Sequence, residues 1–524
     1  MVKLKNLFSS KKETKEIEAS SSNNFTPVFQ HYFNGEKNPG ELGPLINYEL
    51  DFAGLRRRSW ESYLTSEITQ TIVKRFVMWV IGKGLHLQCE PSEEVLKSEG
   101  INGDLREFTK KTEARFNLYL KSKNSTYSHQ INTQKIAKEA FINAIVGGDV
   151  LIIQRVEDGV LNTQIIDGIH VQTPYFGDDI VGQKESGTYI ENGIEMNARK
   201  EHIAFYVKNR KGKVERIRAK GKKTGYTMAF MVYGLKYRPD DNRGMPLFSC
   251  ILETLKKIDR YKEAAVGSAE ERAKIVYQVT HGIQSTGENP MLNNMVKARN
   301  ADTNDDIATD VVGKALADNV ALTTNKQTFN MPVDSELKAL QSDAEDKFVP
   351  FYQSNIELIS SVFGMPPELA FMKYESNYSS SRAAIKDWEH TLKVWRDDYG
   401  FQFYQPIYCF WLRLEILKGK IQAPGYLQGV ADNNFYVVES YEQSRFVGSN
   451  VPHIDPVKEV KAERLKLGIT GEAIPLTTAE ASTERLGEGD FATNRKKYAI
   501  ELEETKAAGI EKEKKEVTNI NTTD

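Results

Sequence analysis

The feature that most constrains the fold is an unusually long helical pattern between Pro246 and about Val279. Proline suits the first turn of a helix. Apolar side chains then recur every three or four residues on one stripe, which comprises Leu247, Ile251, Leu255, Ile258, Tyr261 and Ala265. At 1.5 Å per residue, about thirty residues form a rod of roughly 45–50 Å. Helices of globular domains mostly run about 8–20 residues, so the pattern indicates a shaft rather than a unit of a compact domain.

A second shaft leads into a polar loop. An amphipathic pattern over about 344–363 ends at Gly364-Met-Pro-Pro367, where glycine terminates a helix and proline prevents its continuation. Another long helix is predicted to start near Ser380 and to kink at Gly400. The serines 379–381 are interpreted as capping residues at its start. A polar loop between two helices is suited to presenting side chains to a partner.

The chain before the first shaft mixes helices with short strands. Residues 56–81 and 133–146 have helical periodicity. A hairpin is indicated by the strand pattern of 149–154, the turn Glu157-Asp-Gly159 and the strand pattern of 160–166. Further strand patterns lie at about 193–195, 202–207 and 228–237. We therefore predict an α+β fold with a largely antiparallel sheet.

Three segments differ from this pattern in composition. Residues 1–25 contain too few apolar side chains to offset the entropy of ordering, so we expect a disordered arm. Residues 280–343 are rich in Asn, Asp, Thr and Gly and more acidic than basic, which indicates a small domain inserted between the shafts. Residues 455–509 read as charged helices interrupted near 468–470 and 487–489, and a polar tail follows.

Composition excludes several classes of protein. The 524 residues carry a formal net charge of -2, which argues against a strongly basic DNA-reading domain. The cysteines 89, 250 and 409 form no CxxC, and no GxxxxGK[ST] motif occurs, so we predict no disulfide framework, no metal site, no NTPase loop and no cofactor. The most apolar stretch, 72–81, is about half the length of a bilayer span, which needs about 20 residues. We expect a soluble protein that is intracellular when made.

Three candidate sites each have a plainer interpretation, which we prefer. The acidic pairs Asp240-Asp241 and Asp305-Asp306 could hold Mg²⁺ in a nuclease, or could be solvated loop carboxylates. The stripe Trp388, Trp395 and Trp411 could stack on bases, or could belong to the core. The basic run 208–223 could bind phosphate, or could be an exposed hairpin. A metal-dependent nuclease of a mobile element and a non-ring capsid adaptor or scaffold protein therefore remain alternatives.

The order of several motifs resembles that of tailed-bacteriophage portal proteins of the lambda type. The motifs, in chain order, are Arg56-Arg-Arg-Ser59, Val80-Ile-Gly-Lys-Gly-Leu85, Gly147-Gly-Asp-Val150, Gln164-Ile-Ile-Asp167, Gly193-Ile-Glu195, Arg243-Gly-Met-Pro246, Gly364-Met-Pro-Pro367, Tyr378-Ser-Ser-Ser-Arg-Ala-Ala384 and Ile454-Asp-Pro-Val-Lys-Glu459. Each motif alone is weak, whereas their order is fairly specific. The resemblance covers roughly 50–510, apart from the insert.

The resemblance implies a portal fold with an α/β wing, long stem helices, a small clip insert, a kinked wing helix and a helical C-terminal crown. By analogy, the wing comprises 26–249 and 382–452, the stem helices comprise 250–279 and 344–366, and the clip comprises 280–343. A tunnel loop at 367–381 and a crown at 453–510 complete the scheme, with a flexible tail at 511–524.

The resemblance also implies a non-enzymatic role and a set of partners. The expected assembly is a dodecameric ring at one capsid vertex of the virion, made in the host cytoplasm. It would conduct double-stranded DNA without sequence readout, and would meet the terminase large subunit, the major capsid and scaffold proteins and the head-tail connector or adaptor proteins, but no membrane. The residues expected to face the DNA are Lys373, Tyr374, Asn377, Tyr378, Ser379 and Ser380.

Overall fold

The computed structural model describes most of the chain between residues 52 and 507. The described ranges are 52–103, 105–175, 180–182, 184–222, 224–274, 348–372, 378–449, 456–468, 475–486 and 491–507, together with five short strands given below. The predicted N-terminal arm up to residue 24, most of the predicted clip and the tail after residue 507 lie outside them. The chain divides into a first unit of residues 1–252 and 357–524 and a second unit of residues 253–356.

Five helices of the first unit lie between residues 52 and 147, and they include the two segments predicted from helical periodicity, 56–81 and 133–146. Their bounds are α1 (Phe52–Thr65), α2 (Glu67–Val80), α3 (Glu93–Ser98), α4 (Leu105–Lys121) and α5 (Thr133–Gly147). The sequence predicted one helix over 56–81, and this is wrong, because Ser66 takes an extended conformation between α1 and α2. The break separates the apolar stripe into two faces. Leu64 is consequently 67% exposed, whereas Ile72 and Phe76 are fully buried.

The strands form small sheets that are antiparallel apart from one pairing. Their bounds are β1 (Phe25–Thr26), β2 (Gln30–Phe33), β3 (Glu36–Asn38), β4 (His86–Cys89), β5 (Asp149–Glu157), β6 (Val160–Asp167), β7 (Ile180–Val181), β8 (Tyr189–Glu191), β9 (Ile194–Met196), β10 (His202–Lys208), β11 (Val214–Arg218) and β12 (Ala229–Tyr233). The sheet orders are β1-β2-β3, β12-β5-β6 and β7-β11-β10-β9-β8, and among the described strands only β7 and β11 pair in parallel.

The β5–β6 hairpin confirms its sequence signal. Val150 lies opposite Asp167 and Glu157 lies opposite Val160, so the register is continuous along the hairpin. The turn residues Asp158 and Gly159 both have positive φ, as a tight hairpin turn of this length requires. Apolar side chains of this sheet and of the five-stranded sheet form one shared core, which includes Leu151, Ile153, Val171, Ile194, Met196 and Phe205.

The second unit contains most of the two long helices. They are α6 (Leu252–Lys274) and α7 (Phe348–Val362), and Tyr261 of α6 packs on Phe351 of α7 with ring centroids 4.6 Å apart. A 3-10 turn, Leu247–Cys250, precedes α6 where the sequence predicted helix. The predicted continuation to Val279 is also wrong. Residues Tyr277–His281, which include the strand-favouring Tyr277, Val279 and Thr280, form strand β13, and this strand pairs antiparallel with β14 (Ser335–Ala339).

The chain then returns to the first unit and remains largely helical. The bounds are α8 (Pro367–Phe371), α9 (Tyr378–Tyr399), a π-helical turn (Gly400–Tyr404), α10 (Gln405–Leu417), α11 (Tyr426–Ala431), α12 (Phe435–Glu442), strand β15 (Ser444–Val447), which pairs with β4, and the C-terminal helices α13 (Pro456–Lys466), α14 (Ala479–Leu486) and α15 (Phe491–Ala507). The kink predicted at Gly400 thus takes the form of a π-helical turn. No described helix is apolar over the length that crossing a bilayer demands.

Candidate functional site

The predicted tunnel-loop residues divide into two groups. Lys373, Tyr374 and Asn377 lie outside the described residues. Tyr378, Ser379 and Ser380 are the first residues of α9, which begins slightly before the predicted start near Ser380, and their side chains also lie outside the description. The predicted loop is therefore not irregular throughout, because it contains the short helix α8 and the first turn of α9.

Helix α7 ends before the loop at Gly364, a position with little room for a larger residue. Gly364 follows α7 with a φ of +61°, and a Cβ atom there would lie 3.0 Å from Cγ2 of Thr391 in α9. Only glycine adopts this conformation without strain. Pro366 and Pro367 then start α8, whose Leu369 and Ala370 are buried. The structure therefore confirms the helix-stopping role predicted for Gly-Met-Pro-Pro.

Both sides of the loop are fixed in one aromatic cluster. Phe363, next to Gly364, and Trp388 of α9 both pack on Phe76 of α2, with ring centroids 5.4 Å and 6.1 Å from it. Phe248 packs on Phe363 from the other side, at 5.1 Å. Because all four rings are almost fully buried, the segments that flank the loop cannot move independently without opening the core.

Arg396 adds a polar anchor further along α9. Its side chain is almost fully buried and donates to the carbonyls of Trp79 and Val80, at 2.8 Å and 3.0 Å, and of Ser449, at 2.6 Å. The two helical carbonyls belong to the last turn of α2, where a cation also complements the helix dipole. Burial lowers the pKa of Arg396 to about 10. Arg396 thus ties α9 to the end of α2, a function that its sequence position did not indicate.

A buried node of charges holds the elements that lead to the first long helix. Asp149, at the start of β5, has no exposed surface. Its carboxylate accepts from Arg243 Nε at 2.6 Å, from Arg243 Nη2 at 2.8 Å and from the backbone N–H of Gly244 at 3.0 Å. Arg56 of α1 pairs with the same carboxylate and donates through Nε to the Gly147 carbonyl at 2.6 Å. We call Arg56, Asp149 and Arg243 the Asp149 node.

The ionisation of Asp149 follows from its two partners. Burial alone would raise its pKa, but the charges of Arg243 and Arg56, with the hydrogen bonds from Arg243 and Gly244, lower it to about 2. Arg243 also donates to the carbonyls of Gly168 and Val171 at 2.6 Å and 2.8 Å. Its five-donor guanidinium is therefore used within the subunit, as buried arginines must be.

Two glycines let the backbones around the node approach each other. A Cβ atom on Gly148 would lie 2.4 Å from the carbonyl oxygen of Gly244, and one on Gly244 would lie 2.0 Å from the carbonyl oxygen of Gly148. Gly148 also has a φ of +94°. The motifs Gly147-Gly-Asp-Val150 and Arg243-Gly-Met-Pro246, which are far apart in the sequence, therefore meet at one point. No local signal in either motif predicted this meeting.

Three of the nine basic residues in the run 208–223 pair with nearby carboxylates. The Arg216 side chain is almost fully covered and donates two hydrogen bonds to the Glu195 carboxylate, at 2.7 Å and 3.0 Å. Lys220 pairs with Glu201 at 2.8 Å, and Arg218 approaches Glu185 at 3.5 Å. The run forms the β10–β11 hairpin and its flanks. These contacts favour the hairpin interpretation over a phosphate patch.

The other two candidates are also accounted for where they are described. Asp240 is exposed and pairs with Lys200, and Asp305 and Asp306 lie outside the described residues. Within the described ranges, no three His, Cys, Asp or Glu side chains converge as metal ligands would. Trp388 and Trp411 are buried, so the core interpretation of the tryptophan stripe is confirmed for them. Trp395 packs edge-on against Phe76 at 5.1 Å.

Comparison with known proteins places the chain in a family. Residues 39–396 match the family model described as phage portal protein, lambda family. No curated protein matches the sequence.

Similar solved structures come from the gene transfer agent (GTA), and each is 12% identical to this chain. The neck of the empty GTA particle computed with C6 symmetry covers 85% of this chain and 94% of its own, with a TM-score of 0.41. The virion of the native particle has the same coverage and a TM-score of 0.39. The native neck computed with C12 symmetry covers 83% and 93%, with a TM-score of 0.39. At these TM-scores the likeness does not by itself establish a shared fold.

Proposed function

Because the chain belongs to the lambda family of phage portal proteins, we propose that it forms a ring at one capsid vertex and serves as a passive channel for double-stranded DNA. The family match over residues 39–396 carries this proposal. A dodecamer is the ring that we propose. Such rings are closed by heterologous contacts, in which one face of a subunit meets a different face of the next.

Within this ring, the segment between α8 and α9 is the proposed constriction. The Phe76 cluster and Arg396 fix the flanks of this segment. A loop that contacts moving DNA needs such anchors to keep its position. Lys373, Tyr374 and Asn377, with the start of α9, are the side chains proposed to touch the DNA backbone. Contacts to phosphate and sugar position DNA without reading its sequence.

A passive channel must not grip its cargo. Each Lys or Arg that reaches a phosphate strengthens binding through counterion release, and a ring repeats that contact in every subunit. The chain has a net charge of -2, and three cations of the basic hairpin, Arg218, Arg216 and Lys220, pair with Glu185, Glu195 and Glu201, respectively. This charge distribution favours sliding over retention.

The proposed partners follow from the position of the ring. The acidic insert at 280–343, which contains strand β14 and the end of its partner strand β13, is the proposed clip. It would meet the terminase large subunit during packaging and the connector or adaptor proteins afterwards. The wing and crown would meet the major capsid and scaffold proteins.

Electron microscopy of the purified full-length protein tests the ring directly. We expect closed rings with a central hole, and a single-subunit protein would overturn the proposal. Nuclease activity that requires Mg²⁺ would favour the alternative class.

The loop is tested separately, in assembled rings. In the triple variant Lys373→Ala/Tyr374→Ala/Asn377→Ala we expect rings as in the wild type but a severalfold loss of packaged DNA. The matched control, Lys211→Ala/Lys213→Ala on the β10–β11 hairpin, should package normally. Normal packaging by the triple variant would remove the loop from the mechanism, and a failure to form rings would show that the loop acts in assembly instead.

A further inference from the structure

The C-terminal helices expose apolar side chains and bury polar ones. In α13 and α14 the buried residues are Glu463 and Ser482, whereas Val457 and Leu465 are 63% and 58% exposed. Glu463 is well satisfied inside, because it accepts from Ser482 Oγ at 3.0 Å and pairs with Lys466 at 2.6 Å. These helices therefore leave large apolar side chains open to contact by another protein.

The last helix, α15, is more exposed still. Every residue from Arg495 to Glu504 is exposed, including Tyr498, Ile500 and Leu502. An isolated helix of this length is marginal in water, and helices in proteins gain most of their stability from a packed face. The described part of the chain provides little packing for this one, so the packed face must come from elsewhere.

The charges of α15 are segregated along its length. Arg495, Lys496 and Lys497 form a basic band, and Glu501, Glu503 and Glu504 form an acidic band nearer the C-terminus. Successive residues point about 100° apart around a helix, so each band is presented in several directions. Within α15, Lys497 and Glu501 are four positions apart and Glu503 and Lys506 are three apart, which are the spacings of ion pairs along one helix. The other band residues, Arg495, Lys496 and Glu504, have no oppositely charged residue at these spacings within the helix.

The two bands are complementary to each other. Their centres are separated by about seven residues, or about 10 Å at 1.5 Å per residue. A second copy of α15, displaced by this distance, would place its basic band beside the acidic band of the first. Opposite charges that are aligned in this way fix the register of a contact and exclude other registers.

We infer that α13–α15 form a contact surface between neighbouring copies of this chain, in which the basic band of one α15 lies beside the acidic band of the next. The inference rests on the proposed ring, since the occupant is the adjacent subunit. Neighbours in a ring carry the same helix at the same height. The bands can meet only if α15 is inclined to the ring axis, because upright helices would place like charges together.

Exchange of the bands tests this contact. The variant Arg495→Glu/Lys496→Glu/Lys497→Glu has two acidic bands, and the variant Glu501→Lys/Glu503→Lys/Glu504→Lys has two basic ones. Each should assemble at a subunit concentration at least about tenfold higher than the wild type, which corresponds to about 1.4 kcal/mol. The variant that carries all six changes should assemble like the wild type, because the bands are exchanged but still complementary. Since all six positions are exposed, folding should be unaffected, and circular dichroism checks this.

Co-expression of the two single-band variants gives an independent readout. An acidic and a basic subunit can alternate around a ring, so native mass spectrometry should show mixed rings where each variant alone gives subunits. Salt should weaken the wild-type contact, since exposed charges are screened. If the single-band variants form rings as readily as the wild type does, this inference is overturned and the proposed function remains intact. A wild-type protein that forms no rings, or only two-copy species, would overturn both.

Discussion

Neutralising Asp149 is expected to destabilise the first unit far more than neutralising an exposed carboxylate. The variant Asp149→Asn keeps the side-chain shape but leaves Arg56 and Arg243 buried without a counter-charge. Removal of one partner from a buried ion pair typically costs about 3–5 kcal/mol. The lowered pKa of Asp149 has the same physical cause, because its two arginine partners favour the charged carboxylate over the protonated one.

Urea denaturation followed by tryptophan fluorescence measures this loss. All five tryptophans lie in the first unit, so the signal reports the unit that contains the node. The control is Asp240→Asn, which removes an exposed partner of Lys200 and should leave the midpoint unchanged, since exposed pairs contribute little. Equal midpoints for the two variants would refute the reasoning.

The dependence on pH gives the same prediction a second readout. The pKa of Asp149 is lower in the folded chain than in the unfolded one, so its stabilising contribution is present above about 3.8 and is lost as the pH falls through about 2. Because asparagine does not titrate in this range, the difference in stability between wild type and Asp149→Asn should be constant at neutral pH and should shrink below about pH 4. A difference that grows with acidity would contradict the assigned pKa.

Three further changes test other parts of the structure. Gly148→Ala should destabilise the first unit by more than about 1 kcal/mol in the same urea assay, because of its positive φ and its contact with a backbone carbonyl; Gly212→Ala, which has positive φ but open space around it, isolates the contribution of the contact. Trp388→Ala should lower the free energy of unfolding by about 3–5 kcal/mol, because removal of this fully buried side chain leaves a cavity in the cluster that fixes the loop. A loss below about 1 kcal/mol would place Trp388 outside that core. Lys211→Ala/Lys213→Ala should leave the salt dependence of DNA binding unchanged in a filter-binding titration, whereas two phosphate contacts would lower the slope by about two.

Local patterns predicted most of the helices and the central hairpin. The turn Glu157-Asp-Gly159 and the end of α7 at Gly364 were recovered because glycine and positive φ are local requirements. The predictions were wrong where contacts with residues distant in the sequence determine the local structure. Ser66 interrupts a stripe that is continuous in the sequence, and Tyr277–His281 follows a helix directly but gains a partner strand some sixty residues later. Neither the helix break nor the strand pairing can be predicted from a short window of sequence.

The charged node was visible in the sequence only as scattered motifs. Arg56, Asp149 and Arg243 were each noted in separate motifs, but their meeting depends on contacts between residues more than ninety positions apart. The same holds for Gly148 and Gly244, because each must be a glycine to leave room for the backbone carbonyl of the other. Long-range pairing of this kind explains why each motif was weak alone while their order was specific.

The arginines of this chain show how a nearly neutral protein can suit a DNA channel. The planar guanidinium is the side chain best matched to phosphate, and an exposed one on the channel wall would slow the cargo. Arg56, Arg216, Arg243 and Arg396 are instead buried, where they bind Asp149, Glu195 and backbone carbonyls. The same contacts that hold the proposed wing together therefore remove four phosphate-binding groups from the surface. In the proposed ring this effect would be repeated in every subunit, so internal stability and the proposed weak retention of DNA would have one physical origin.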